Sequence, residues 1–115
     1  MPTIFAVYNA KDAKIANDYE AYAKEKKIPF ARALPAIKSF EIYRIDGVLG
    51  PGVAEPQNSP TEPLYQFVAK IEVTSLEDFG LAMQTPAMQA LVQEYSPFLD
   101  PSTVFTMGHS IEPGV

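Results

Sequence analysis

The stretch Leu64–Thr74, L-Y-Q-F-V-A-K-I-E-V-T, carries the clearest alternation in this chain. Tyr65, Phe67, Ala69, Ile71 and Val73 fall on one face, and Gln66, Lys70 and Glu72 on the other. Successive strand side chains point to opposite faces, so this pattern demands a strand with one face in a core and the other turned outward. The fold must therefore contain a sheet covered on at least one side. What covers it follows from the segments on either flank.

Upstream, Thr3 to Tyr8 (T-I-F-A-V-Y) is short, β-branched and aromatic at consecutive positions, which predicts a strand buried on both faces. Asn9 reads as a helix cap with Asp12 as its capping-box partner. The helix that follows runs to about Lys27, with Ile15, Tyr19, Tyr22 and Ala23 as its apolar stripe and Pro29 as its stop. Lys14/Asp18 and Glu20/Lys24 are oppositely charged i,i+4 pairs. A second strand spans about Ile37 to Asp46. Gly47 to Pro63 then forms a loop with three glycines and four prolines. Its length suits a lid or a linker.

Downstream, Ser75 and Asp78 open a short helix with Leu76, Phe79 and Met83 inward. Thr85 caps a further helix with Pro86 in its first turn, and Met88, Leu91, Val92 and Tyr95 mark one of its faces. Pro97 and Pro101 bracket a turn before a last strand, Thr103 to Glu112.

The order β-α-β-β-α-α-β predicts an α+β, ferredoxin-like sandwich, a four-stranded antiparallel sheet with its helices on one face. The other face would carry residues of the first strand (Phe5 and Val7, or Ile4 and Ala6, according to register) beside Leu64 and Val68. A second copy is the expected cover, making a homodimer.

At 115 residues the chain is expected to be one domain, residues 1–115. A net charge of −5 opposes nucleic-acid binding. Lys24, Lys26 and Lys27 are explained as cations at a helix C-terminus. No apolar run is long enough to cross a bilayer and the N-terminus lacks a signal pattern, so the expected setting is cytoplasmic. Cysteine is absent and histidine occurs once, which argues against a metal site. G-V-L-G-P-G lacks the lysine and helix of a phosphate loop, and no G-x-S-x-G is present.

The A-R-A-L-P-A-I-K-S-F-E-I-Y-R-I-D-G stretch, D-Y-E-A-Y-A, T-P-A-M-Q-A-L and F-T-M-G-H-S together resemble the RedY-like family across nearly the whole chain. The resemblance implies a dimeric α/β barrel of ferredoxin-like protomers. It also implies a role in tailoring a pyrrole- or indole-derived metabolite, as in prodiginine-type pigment biosynthesis, with no bound cofactor. The broader setting that the resemblance implies is antibiotic biosynthesis.

His109 is the leading acid/base candidate, because an imidazole titrates near neutrality. Strict alternation puts it with Phe105, Met107 and Ile111, the face expected under the helices. Glu41 and Tyr43 share one face of the second strand, Lys38 and Arg44 the other. Glu41 reads either as a second base or as an edge charge that discourages aggregation. Lys38 and Arg44 read as edge charges. Tyr8, Tyr19, Tyr22, Tyr65 and Tyr95 offer phenol donors, Tyr19 first, though tyrosines at such spacing are commonly core. Arg32 stands in a linker where it could grip a carboxylate or amide.

The function expected is a cofactor-independent tailoring enzyme that binds an aromatic intermediate between sheet and helices. It would promote proton transfer leading to condensation or cyclisation. The alternatives are a carrier that protects an intermediate, a cofactor-free monooxygenase, and a structural subunit.

Overall fold

The computed structural model describes residues 2–47, 64–109 and 111. The loop expected as a lid lies outside them from residue 48 to residue 63. Four strands, β1 (Thr3–Tyr8), β2 (Ile37–Arg44), β3 (Phe67–Val73) and β4 (Val104–Gly108), form one antiparallel sheet in the order β2-β3-β1-β4. This is the ferredoxin-like arrangement, with β2 and β4 at the edges. No helix among the described residues is long and apolar enough to cross a membrane.

The alternation of β3 has the predicted consequence. Phe67, Ala69, Ile71 and Val73 are buried, and Val68, Lys70 and Glu72 between them are half-exposed. Register carries the buried face across the sheet, pairing Ile4 with Ile71, Ala6 with Ala69 and Tyr8 with Phe67. β1 is therefore not buried on both sides in the protomer. Phe5 is 36% exposed and Val7 half-buried, because nothing among the described residues covers the outer face of the sheet. An irregularity between Ile37 and Ser39 lets both Ile37 and Phe40 turn inward while Lys38 stays exposed.

The first helix departs from expectation at both ends. Its cap is Asp12, whose Oδ1 accepts the Ile15 amide at 2.8 Å, so α1 is Ala13–Tyr22. Asn9 instead ties β1 to the start of β3. Its Oδ1 accepts the Gln66 amide at 2.8 Å and its Nδ2 donates to the Leu64 carbonyl at 3.1 Å. At the other end Pro29 does not stop the helix. A π turn, Ala23–Lys27, leads directly into α2 (Ile28–Arg32), with Pro29 in the first turn of α2. Pro has no amide hydrogen and its ring crowds the carbonyl four residues back, and the wider π turn just before it relieves both problems.

α3 (Leu76–Met83) is capped by Ser75, which accepts the Asp78 amide at 2.9 Å. α4 (Pro86–Tyr95) is capped by Thr85, which accepts the Met88 amide at 3.3 Å. Both caps are where the sequence puts them. α4 buries Met88 and Leu91, whereas α3 buries no residue fully and Leu76 is 44% exposed rather than inward. α3 thus stands off the sheet, and the space beneath it is the functionally interesting region.

Candidate functional site

A cavity of about 440 Å³ lies between the helix face of the sheet and the helices. Its floor contains Ala6 and Ala69, cross-strand partners on the two central strands. Two alanines side by side at the middle of a sheet leave room where larger side chains would fill it. Its roof includes Phe79 and Met83 of α3 and Met88, Leu91, Val92 and Tyr95 of α4, the faces predicted to point inward. Apart from Tyr8, Lys27, Tyr95, Ser96, Asp100 and Thr103 the wall is hydrocarbon and thioether. Small-molecule sites typically occupy about 300–1,000 Å³ and combine apolar walls with a few polar groups.

The charged group deepest in this wall is Lys27, 8% exposed. The buried positions Tyr19, Ala23, Lys27 and Ala31 follow one another at four-residue intervals through the π turn, so Lys27 points at the sheet and not at solvent. Its Nζ donates to Tyr19 Oη at 2.7 Å, and Tyr19 Oη lies 2.7 Å from Tyr8 Oη. It also sits over the Tyr95 ring, 4.0 Å from the centroid, with the Tyr8 and Tyr19 rings at 5.2 and 5.0 Å. The ion pairs among the described residues involve Lys24, Lys26 and Arg44, not Lys27. Burial without a carboxylate partner pushes the amine down to about 7 from 10.5. Burial also raises the phenols of Tyr8, Tyr19 and Tyr95, so they stay protonated and act as hydrogen-bond donors.

The residues singled out from the sequence divide into two groups. Tyr8, Tyr95 and Phe105 line the cavity. Tyr19 is fully buried beneath it and reaches the wall through its bonds to Tyr8 and Lys27. Glu41 and Tyr43 lie on the opposite, open face of the sheet, where the Tyr43 hydroxyl donates to the Glu41 carboxylate and is raised by that bond. Arg32 Nε donates to the Phe40 carbonyl at 3.0 Å and fastens α2 to β2. Arg44 spans from the β2 edge to Asn17 and Glu20 of α1.

His109 is exposed and does not contribute to the cavity wall in the protomer. Alternation does put Phe105 and Met107 on the helix face, opposite Ala6 and Ile4. The edge strand outruns its cover, however: Phe105 reaches the cavity, Met107 is 68% exposed, and His109 follows the end of β4. Gly108 is no close approach either, since an added Cβ would meet only Phe5, at an ordinary 3.8 Å.

A four-stranded sheet with one helix-covered face and a mostly apolar cavity beneath the helices defines a ferredoxin-like α+β protein with a small-molecule-sized internal site. The sequence matches the family profile of the REDY-like protein HapK over residues 2–111, and the chain belongs to that family. Among solved structures it is similar to HapK from Hahella chejuensis, with a TM-score of 0.73 and 23% identity over 100% of this chain and 97% of that one. SnoaB, a cofactor-independent oxygenase from Streptomyces nogalater, superposes with a TM-score of 0.65 at 12% identity, over 97% of this chain and 94% of that one. A dimeric ferredoxin-like protein from Thermobifida fusca gives a TM-score of 0.61 at 16% identity, over 93% and 88% of the two chains. No curated protein matches the sequence.

Proposed function

We propose that this chain is a cofactor-independent tailoring protein of secondary-metabolite biosynthesis, of the prodigiosin-like pigment type. It takes an aromatic heterocyclic intermediate into the cavity and promotes a proton-transfer step leading to condensation or cyclisation. The observation that carries this reading is a 440 Å³, mostly apolar cavity with one buried amine in its wall. A planar ring system fits such a wall. An amine titrating near pH 7 can take up and return a proton at neutral pH.

The functional unit in this reading is a cytoplasmic homodimer. Phe5, Val104 and Tyr43 stay 36–52% exposed on the open sheet face, and the likeness to a dimeric ferredoxin-like protein supports a second copy as the cover. A part for His109 as acid/base requires the end of β4 to close over the ligand. Glu41 and Tyr43 would enter only from the partner side of the sheet.

The test is titration with pyrrole- and indole-bearing heterocycles, followed by mass analysis of the mixture, for wild type, His109→Ala and Lys27→Met. Saturable binding with conversion, lost in Lys27→Met, is the expected result. Binding without conversion in every variant would replace the enzyme by a carrier, a reading that the scarcity of polar groups in the wall also suits. Absence of binding would remove both.

A further inference from the structure

Resting on the proposed aromatic-binding role of the cavity, we propose that Lys27 is a nucleophile that forms an imine with an aldehyde or ketone carried on an aromatic ligand. Three observations lead there. Lys27 lines the cavity, and its Nζ sits among Tyr8, Tyr19 and Tyr95, of which Tyr8 and Tyr95 line the cavity too. No carboxylate among the described residues pairs with it, so the uncharged amine, the nucleophilic form, is favoured by the site. Its hydrogen bond to Tyr19 uses an N–H and leaves the nitrogen lone pair uncommitted.

The step balances without any further reactant. The nitrogen lone pair adds to the carbonyl carbon, and the carbonyl π pair moves to oxygen. An amine proton passes to Tyr19, Tyr19 passes its own to Tyr8, and Tyr8 protonates the oxygen, each hop between Lys27, Tyr19 and Tyr8 spanning 2.7 Å. Expulsion of that oxygen as water then forms the C=N bond, and both amine protons have left with it. Burial keeps both phenols protonated, so each passes its own proton on as it accepts one. Protonation of the imine gives a carbon more electrophilic than the parent carbonyl, suited to attack by an electron-rich ring.

The groups facing Lys27 are Tyr19 from α1, Tyr8 from β1 and Tyr95 from α4, with Asp100 on the same cavity wall. Asp100 is engaged by the Ser102 amide and its carboxyl is held low by Ser102, so it is an anion and not a competing acid.

The experiment treats the full chain at pH 7 with 2-naphthaldehyde and sodium cyanoborohydride, then locates the reduced adduct by peptide mapping. At that pH an amine near 7 is about a thousandfold more deprotonated than a lysine side chain in a model peptide. Labelling of Lys27 at least about tenfold above Lys11, Lys14, Lys24, Lys26, Lys38 and Lys70 is expected after allowance for restricted access. Excess 2-naphthalenemethanol, which binds but cannot form an imine, should suppress it. If the alcohol binds at the cavity and the aldehyde labels only surface lysines, the nucleophile is refuted while the binding reading stands. If the alcohol does not bind, the cavity reading itself fails. Because the mapping is done on wild type, the test does not depend on a Lys27 variant folding.

Discussion

Lys27→Met should make the protein more stable at neutral pH and flatten its dependence on pH. Methionine keeps the length of the apolar stem and discards the charge. In wild type the amine titrates at about 7 folded and near 10.5 unfolded, so between those values the unfolded chain binds more protons and stability rises with pH. The full penalty applies below about pH 7 and fades as pH approaches 10.5. Linkage puts it at about 4 kcal/mol at pH 7 and about 2 kcal/mol at pH 9. Against it stands the Tyr95 ring at 4.0 Å, a contact that favours the ammonium by only about 0.5–2 kcal/mol. Desolvation wins.

The assay is urea unfolding of both proteins at fixed ionic strength from pH 6 to pH 9.5. Wild type should gain about 2 kcal/mol more than Lys27→Met between pH 7 and pH 9. The loss of one hydrogen bond to Tyr19 offsets about 1 kcal/mol of the variant's advantage at every pH but leaves the difference in slope intact. Parallel pH profiles would show that the aromatic ring of contacts holds the ammonium as well as water does. The neutral amine would then have no physical basis.

Ala69→Trp should fill the cavity floor and abolish binding of aromatic ligands, read by titration calorimetry, since Ala69 lies beside Ala6 at the centre of the sheet. Asn9→Ala should cost about 1 kcal/mol in urea unfolding, chiefly through the part-buried Gln66 bond because water can take over the exposed Leu64 carbonyl, and unchanged stability would show that Asn9 does not fasten β1 to β3. Phe5→Glu on the open sheet face should convert a dimer into a monomer by light scattering, and an unchanged mass would remove the second copy from the proposal.

Much of the fold is legible because its signals are local. The period-two pattern of β3, the Ser75 and Thr85 caps and the Met88/Leu91/Val92/Tyr95 face of α4 each depend on neighbours within a turn or two of chain. The α4 face also supplies part of the cavity roof, so that portion of the site was readable. Asn9 misleads because a short polar side chain suits a cap and a cross-link equally, and only the approach of Leu64 and Gln66 decides between them.

Lys27 escapes notice for a different reason. A lysine near a presumed helix end has a ready explanation in the dipole, and Pro29 suggests that the helix ends there. The available signal is spacing: Lys27 lies four residues beyond Ala23 and eight beyond Tyr19, on the apolar stripe itself. His109 shows the converse, since alternation assigns a face but not the distance to which a neighbouring helix covers it.

On the proposed mechanism an aromatic ligand enters between sheet and helices and lies against Lys27. A crystal structure of the protein with 2-naphthalenemethanol tests it most directly. The ring system should occupy the space over Ala6 and Ala69, under Leu91, with its hydroxyl toward Lys27 Nζ or Tyr8 Oη. A ligand found instead on the open sheet face beside Phe5 and Tyr43, or at the exposed end of β4 near His109, with the cavity empty, would contradict it.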